Sequence, residues 1–155
     1  MNDDLAVIGM YYQLQSDYAL RGWKKRTCNL LSLKQKIVKP LAEEEFRFLL
    51  FCDGETDLEE FLFSEEMLSA KEKFLSQGVI TELETPAPID EKQRYRYFDN
   101  RFVESVQWSI TGRCNFRCRH CYMDAPDGVL GEPTTEEALD LIGQMADCGI
   151  YHVSL

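Results

Sequence analysis

The chain has 155 residues, 45% of them hydrophobic and 28% charged, with five prolines. That composition excludes wholesale disorder and a fibrous repeat, and the length suits one domain or two small ones. A formal net charge of −10 argues against nucleic acid as the default partner. No apolar run approaches the roughly 18 residues of a membrane helix. The best candidate, residues 5–12, follows Asp3 and Asp4, where a secretion signal would carry positive charge. Cysteines stand at 28, 52, 114, 118, 121 and 148, three of them within eight residues. Such clustering reads as a metal or cluster site in a reducing, cytoplasmic compartment, not as a disulfide framework.

Charge is unevenly spread. Residues 18–39 hold seven basic side chains and no acid, while residues 43–72 hold eleven acids against Arg47 and Lys71. Two surfaces of opposite potential are expected, and two solvated faces that keep the chain soluble would show the same pattern.

Residues 11–38 read as short strands. Tyr12, Leu14, Tyr18, Leu20 and Trp23 alternate loosely with polar residues, residues 22–26 form a turn, and strands follow over 28–33 and 36–38. Pro40 opens a helix with Ala42, Phe46, Leu49 and Leu50 on one stripe, which Asp53-Gly54 ends. Thr56 caps a short second helix reaching residues 61–63. Ser64 caps a third, with Met67, Ala70, Phe74 and Leu75 on one face and Gly78 as its stop. A strand over 79–83 closes the outline of an α+β winged-helix-like domain over residues 1–85. Thr85-Pro86-Ala87-Pro88 opens a linker over residues 86–100, because two prolines forbid helix. Residues 101–155 form the second region. A strand carries Phe102, Val106, Trp108 and Ile110, and a loop over 111–133 holds the cysteines. Thr134 and Glu137 form a capping box on a helix with Ala138, Leu141, Ile142 and Met145 on one stripe, and a buried strand over 150–155 completes a βαβ unit.

The loop reads Cys114-Asn115-Phe116-Arg117-Cys118-Arg119-His120-Cys121. Structural zinc takes four ligands, and bacterial ferredoxins use a tighter spacing with a fourth cysteine before proline. Three thiolates this close suit three irons of a 4Fe–4S cube, leaving the fourth iron open for a substrate or cofactor. A zinc knuckle completed by Cys148 or a histidine is the rival. Cys28, Cys52 and Cys148 read as small core hydrophobes, and His152 as a buried structural histidine.

Trp108-Ser109-Ile110-Thr111-Gly112-Arg113, followed by C-x3-C-x2-C and Tyr122, closely resembles the start of the radical S-adenosylmethionine (SAM) enzymes. The resemblance covers residues 101–155. It implies a 4Fe–4S cluster on Cys114, Cys118 and Cys121, cofactor contacts from His120 and Tyr122, and reductive cleavage of SAM to a 5′-deoxyadenosyl radical. It also implies a reducing partner such as a ferredoxin or flavodoxin, and a partial TIM-type α/β barrel of which one βαβ unit is present. The Gly-Gly-Glu-Pro stretch of the family would begin at Leu155. The chain is therefore expected to be the N-terminal fragment of a longer enzyme and inactive alone. Gly131-Glu132-Pro133 lacks the leading glycine and reads as the entry to the capping box. The first 85 residues resemble the winged-helix domain that binds leader peptides in peptide-maturing radical SAM/SPASM proteins, through the run 36–58 and the third helix. That implies a precursor leader peptide as partner, added as a strand beside the sheet. The alternatives are a radical enzyme acting on a small molecule with this domain as a docking element, and a zinc-binding winged-helix transcription regulator. The third helix, with three acids against Lys71 and Lys73, is poorly suited to the major groove.

Overall fold

The computed structural model describes residues 9–114, 116, 118–121, 123 and 131–155. The chain divides into two units, Met1–Tyr97 and Phe98–Leu155.

In the first unit, β1 (Tyr11–Leu14) buries alternate residues, Tyr12 and Leu14. β2 (Tyr18–Lys24) and β3 (Arg26–Ser32) form an antiparallel hairpin, paired from Tyr18↔Ser32 to Trp23↔Arg26 with a bulge between Arg21 and Trp23. Its tight turn is Lys24-Lys25, with Lys25 at φ 66°. β4 (Ile37–Pro40) pairs antiparallel with β3 and forms one edge of the sheet. Pro40 thus ends a strand instead of opening a helix. α1 (Glu43–Leu50) starts after Ala42, where the Glu45 carboxylate accepts the Ala42 N–H at 3.0 Å. α2 (Glu65–Ser76) starts at Ser64, whose hydroxyl accepts the Met67 N–H at 3.2 Å, and buries Met67, Ala70 and Phe74. Gly78 at φ 65° leads into β5 (Ile80–Leu83), which pairs antiparallel with β1.

The expected middle helix is absent among the described residues. The Thr56 hydroxyl that would have capped it donates to Asp53 Oδ2 at 3.0 Å, while Asp53 Oδ1 accepts the N–H groups of Glu55 and Thr56 at 2.8 Å each. Asp57 Oδ1 accepts the Met10 N–H at 3.0 Å, and Leu58 N–H donates to the Met10 carbonyl at 2.8 Å. These bonds hold the segment beside the start of β1, with a turn where the Phe61 N–H donates to the Leu58 carbonyl at 3.2 Å. Its aromatics still reach the core side: Phe63 lies 5.9 Å from Phe48 and 5.0 Å from Phe61, ring to ring. Tyr12, Leu14, Leu20, Leu30, Phe48, Leu49, Leu58, Met67, Phe74 and Ile80 make up most of one continuous core.

Residues 86–97, most of the expected linker, belong to the first unit. Gln93 is 4% exposed, and its Nε2 donates to the carbonyls of Leu14 and Gln15 at 2.9 Å each. Its carbonyl accepts the Leu20 N–H at 3.0 Å. Arg21 donates to the carbonyls of Lys92 and Arg94, and Tyr95 Oη donates to the Thr27 carbonyl. Buried backbone groups must find partners, and this strap supplies them to β1 and β2. β6 (Arg96–Arg101) carries the chain across the unit boundary.

In the second unit, β7 (Val106–Gln107) and β8 (Val153–Ser154) pair in parallel, with Val106↔Val153. α3 (Thr135–Asp147) lies between them in the chain and starts at Thr134, which accepts the Glu137 N–H while Glu137 reaches back to the Thr134 N–H. β7 is far shorter than the expected strand, and β8 is half-exposed instead of buried. No residue of α3 is buried. Ile142, expected on its inward stripe, is 50% exposed, and Leu139 is 63% exposed.

Candidate functional site

Cysteine chemistry divides between the two units. Cys52 is buried, and its Sγ lies 3.4 Å from the Phe48 carbonyl. Burial pushes its thiol far above the ordinary range, which leaves it inert. Cys28 is half-buried. Cys148 departs from its expected core position: it is the exposed C-cap of α3, its carbonyl accepting from Asn100 Nδ2 at 2.8 Å. His152 is half-exposed, and its carbonyl accepts the Val106 N–H at 3.0 Å.

Cys114, Cys118 and Cys121 are free and exposed on the loop that leaves the carboxyl end of β7. In α/β units this is the end at which ligands bind, because loops there are free to vary without disturbing the sheet. The Cys121 N–H donates to the Cys118 carbonyl at 3.2 Å, so the last two thiols sit on one turn. The Phe116 N–H donates to Cys114 Sγ at 3.4 Å. Among the described residues, no group of three His, Cys, Asp or Glu side chains is drawn close enough to hold a metal ion. The donor set nevertheless fits an iron–sulfur cluster in kind: three accessible thiols, none in a disulfide, one already facing a backbone N–H. His120 is exposed on the same turn, and so are Arg113 and Arg119 nearby. Tyr122, expected to contact the cofactor, lies outside the described residues, as does Arg117.

A residue that sequence reasoning set aside comes forward at the base of this loop. Glu132 Oε1 accepts the Thr111 hydroxyl at 2.5 Å and lies 3.6 Å from Arg113 Nε. A cavity of about 400 Å³ opens beside it, lined by Ser109, Thr111, Met123 and Glu137 among others. Only the capping box next to Glu132 is visible in the sequence. A contact across twenty-one positions leaves no local signal.

The first unit presents a second candidate locus between the β4 edge and α2. A cavity of about 390 Å³ has Leu30, Leu41, Phe74 and Val79 on its walls and Lys39 and Lys73 among its lining. Lys73 also pairs with Glu45 at 2.5 Å. The Leu41 N–H donates to the Cys28 carbonyl at 3.0 Å, which sets the phase of the β3–β4 ladder. In that phase Lys39 turns its backbone toward β3, while Val38 turns its N–H and carbonyl away from it. Pro40 has no N–H to offer on that side, so it limits the edge to a short added segment. A larger groove of about 690 Å³ lies beyond Pro40 and Leu41, between residues 26–29 and α1, with Lys25, Arg26 and Arg47 in its lining.

No protein-family model, curated protein or solved structure matches this chain. No helix among the described residues is long and apolar enough to cross a membrane.

Proposed function

We propose that the chain belongs to a cytoplasmic radical SAM protein that modifies a ribosomally made peptide, with a cluster site in the second unit and a winged-helix-type peptide site in the first. The observation that carries the first half is the exposed C-x3-C-x2-C loop at the carboxyl end of β7, within a parallel β7–α3–β8 unit. In this reading Cys114, Cys118 and Cys121 supply the thiolate ligands, and the Phe116 N–H faces the Cys114 sulfur. When bound, the 4Fe–4S cluster supplies the electron that cleaves SAM reductively. His120 and Tyr122 serve the cofactor, and the exposed Arg113 and Arg119 favour approach of an acidic electron donor such as a ferredoxin or flavodoxin. Anaerobic reconstitution with iron and sulfide tests this. Visible absorption and iron content typical of a 4Fe–4S cluster are expected, with loss of both in Cys114→Ala, Cys118→Ala and Cys121→Ala. Stoichiometric zinc with no sulfide uptake would reject it.

The second half rests on the β4 edge. An extended leader peptide pairs with the outward N–H and carbonyl of Val38 and sets an apolar side chain against Leu30, Phe74 and Val79. Strand addition gives affinity through main-chain hydrogen bonds, and the basic residues at 24–26 and 34–39 draw an acidic leader toward the edge. Titration of a labelled precursor peptide, followed by fluorescence anisotropy, is expected to saturate. A flat response at low salt removes the peptide and leaves a small-molecule substrate.

A further inference from the structure

The loop that carries the three cysteines begins beside β7 and ends at α3, and its two ends meet. The Gly112 N–H donates to the Gly131 carbonyl at 3.0 Å. The Thr111 hydroxyl donates to Glu132 Oε1 at 2.5 Å, and Arg113 Nε lies 3.6 Å from the same oxygen. Thr111 Oγ1 in turn accepts the Arg113 N–H at 3.0 Å. One carboxylate therefore holds the residues on both sides of Gly112, immediately before Cys114. Glu132 itself stands two residues ahead of Thr134, the N-cap of α3, where the helix dipole favours negative charge. Pro133 restricts the backbone between them. A span of about twenty residues closed at its base explores far fewer arrangements than an open one, and all three thiols lie within it.

We infer that Glu132 is a positioning residue for the cysteine loop, closing its base through Thr111 and Arg113 so that the thiols retain a bound cluster. This rests on Cys114, Cys118 and Cys121 being its ligands. The test uses the full chain with Glu132→Ala, Glu132→Gln, Thr111→Val and Thr111→Ser, and reads it without and with iron. In the metal-free chain, hydrogen exchange at the Gly112 amide is expected to quicken about fivefold in Glu132→Ala and Thr111→Val, the effect of one ordinary hydrogen bond. Thr111→Ser restores the wild-type rate. Glu132→Gln keeps an acceptor but loses its attraction for Arg113, and falls between. Unchanged exchange in α2 shows that the first unit remains folded. After anaerobic reconstitution, iron release to a chelator, followed by loss of the cluster's visible absorption, is expected to quicken by a similar factor in the first two variants and to be rescued by Thr111→Ser. Faster exchange with wild-type iron release overturns the inference and leaves the ligand assignment standing. A wild-type chain that takes up no iron overturns the ligand assignment, and the inference with it.

Discussion

The two units solve different problems with similar elements. α2 and α3 are of nearly equal length, each capped by a hydroxyl residue at its start, yet α2 buries Met67, Ala70 and Phe74 while α3 buries nothing. The first unit closes a core between two β-sheets and two helices and straps it with residues 86–95. The second has a two-residue parallel pair and keeps its three clustered thiols exposed. Capping makes a helix start, but only tertiary burial makes it contribute to global stability. The exposed thiols sit in the unit with less to lose by opening, which is where ligand-binding segments are drawn from.

The largest expected effect follows from that contrast. Phe48 is fully buried at the centre of the first core, so Phe48→Ala is expected to cost about 3–5 kcal/mol. Ile142→Ala on the half-exposed face of α3 is expected to cost under about 1 kcal/mol. Urea unfolding monitored by tryptophan fluorescence reads the first, because Trp23 lies in the first unit and is buried. Equal losses for the two variants would erase the difference between the units.

A middle-sized effect concerns partners. Lys24, Lys25 and Arg26 changed together to Glu are expected to weaken binding of an acidic precursor peptide about tenfold at low salt, with less effect at high salt. Iron uptake by the second unit is expected to stay at the wild-type level. Unchanged peptide affinity at low salt would break the assignment of the basic hairpin to recognition.

The smallest effect is electrostatic. Burial alone would raise the Glu45 carboxyl, but the hydrogen bonds from Lys73 and from the Ala42 N–H hold it below the ordinary carboxylate range. A folded-state value below the unfolded one means that this stabilisation is complete above the unfolded pKa of about 4.3 and is lost as pH falls through the folded value. The first unit of wild type is therefore expected to lose stability as pH drops below about 4.3, and Glu45→Gln to flatten that part of the profile by under about 1 kcal/mol. Thermal unfolding between pH 3 and 6 measures it. Parallel profiles for wild type and variant would show that the Lys73–Glu45 pair contributes nothing.

Elements specified by neighbours in the chain were legible. Ser64 and Thr134 start helices because a hydroxyl three positions from an N–H needs no tertiary help. The β2–β3 hairpin lies within a residue or two of where alternation put it, with a left-handed Lys25 in its two-residue turn. The three cysteines of the eight-residue motif stand exposed on one loop after β7. What failed failed for a common reason. Thr56 reads as a helix cap until Asp53 takes its hydroxyl. The Pro-rich stretch after 85 reads as a linker until Gln93 is seen filling β1's unmet carbonyls from seventy-nine and seventy-eight positions away. Cys148 lies on the apolar stripe of α3, but a stripe predicts only which face would be buried if something covered it.

By itself, the sequence determined where α2 and α3 start, where the β2–β3 hairpin turns and which three cysteines share one loop. These depend on contacts within a few residues, whose entropy cost is small whatever the rest of the chain does. Tertiary structure alone decided that residues 86–95 belong to the first unit, that residues 57–63 form no helix beside β1, and that Glu132 reaches Thr111. Each of these joins positions far apart in the chain, and a long-range contact forms only when the whole fold has met the cost of bringing its two ends together.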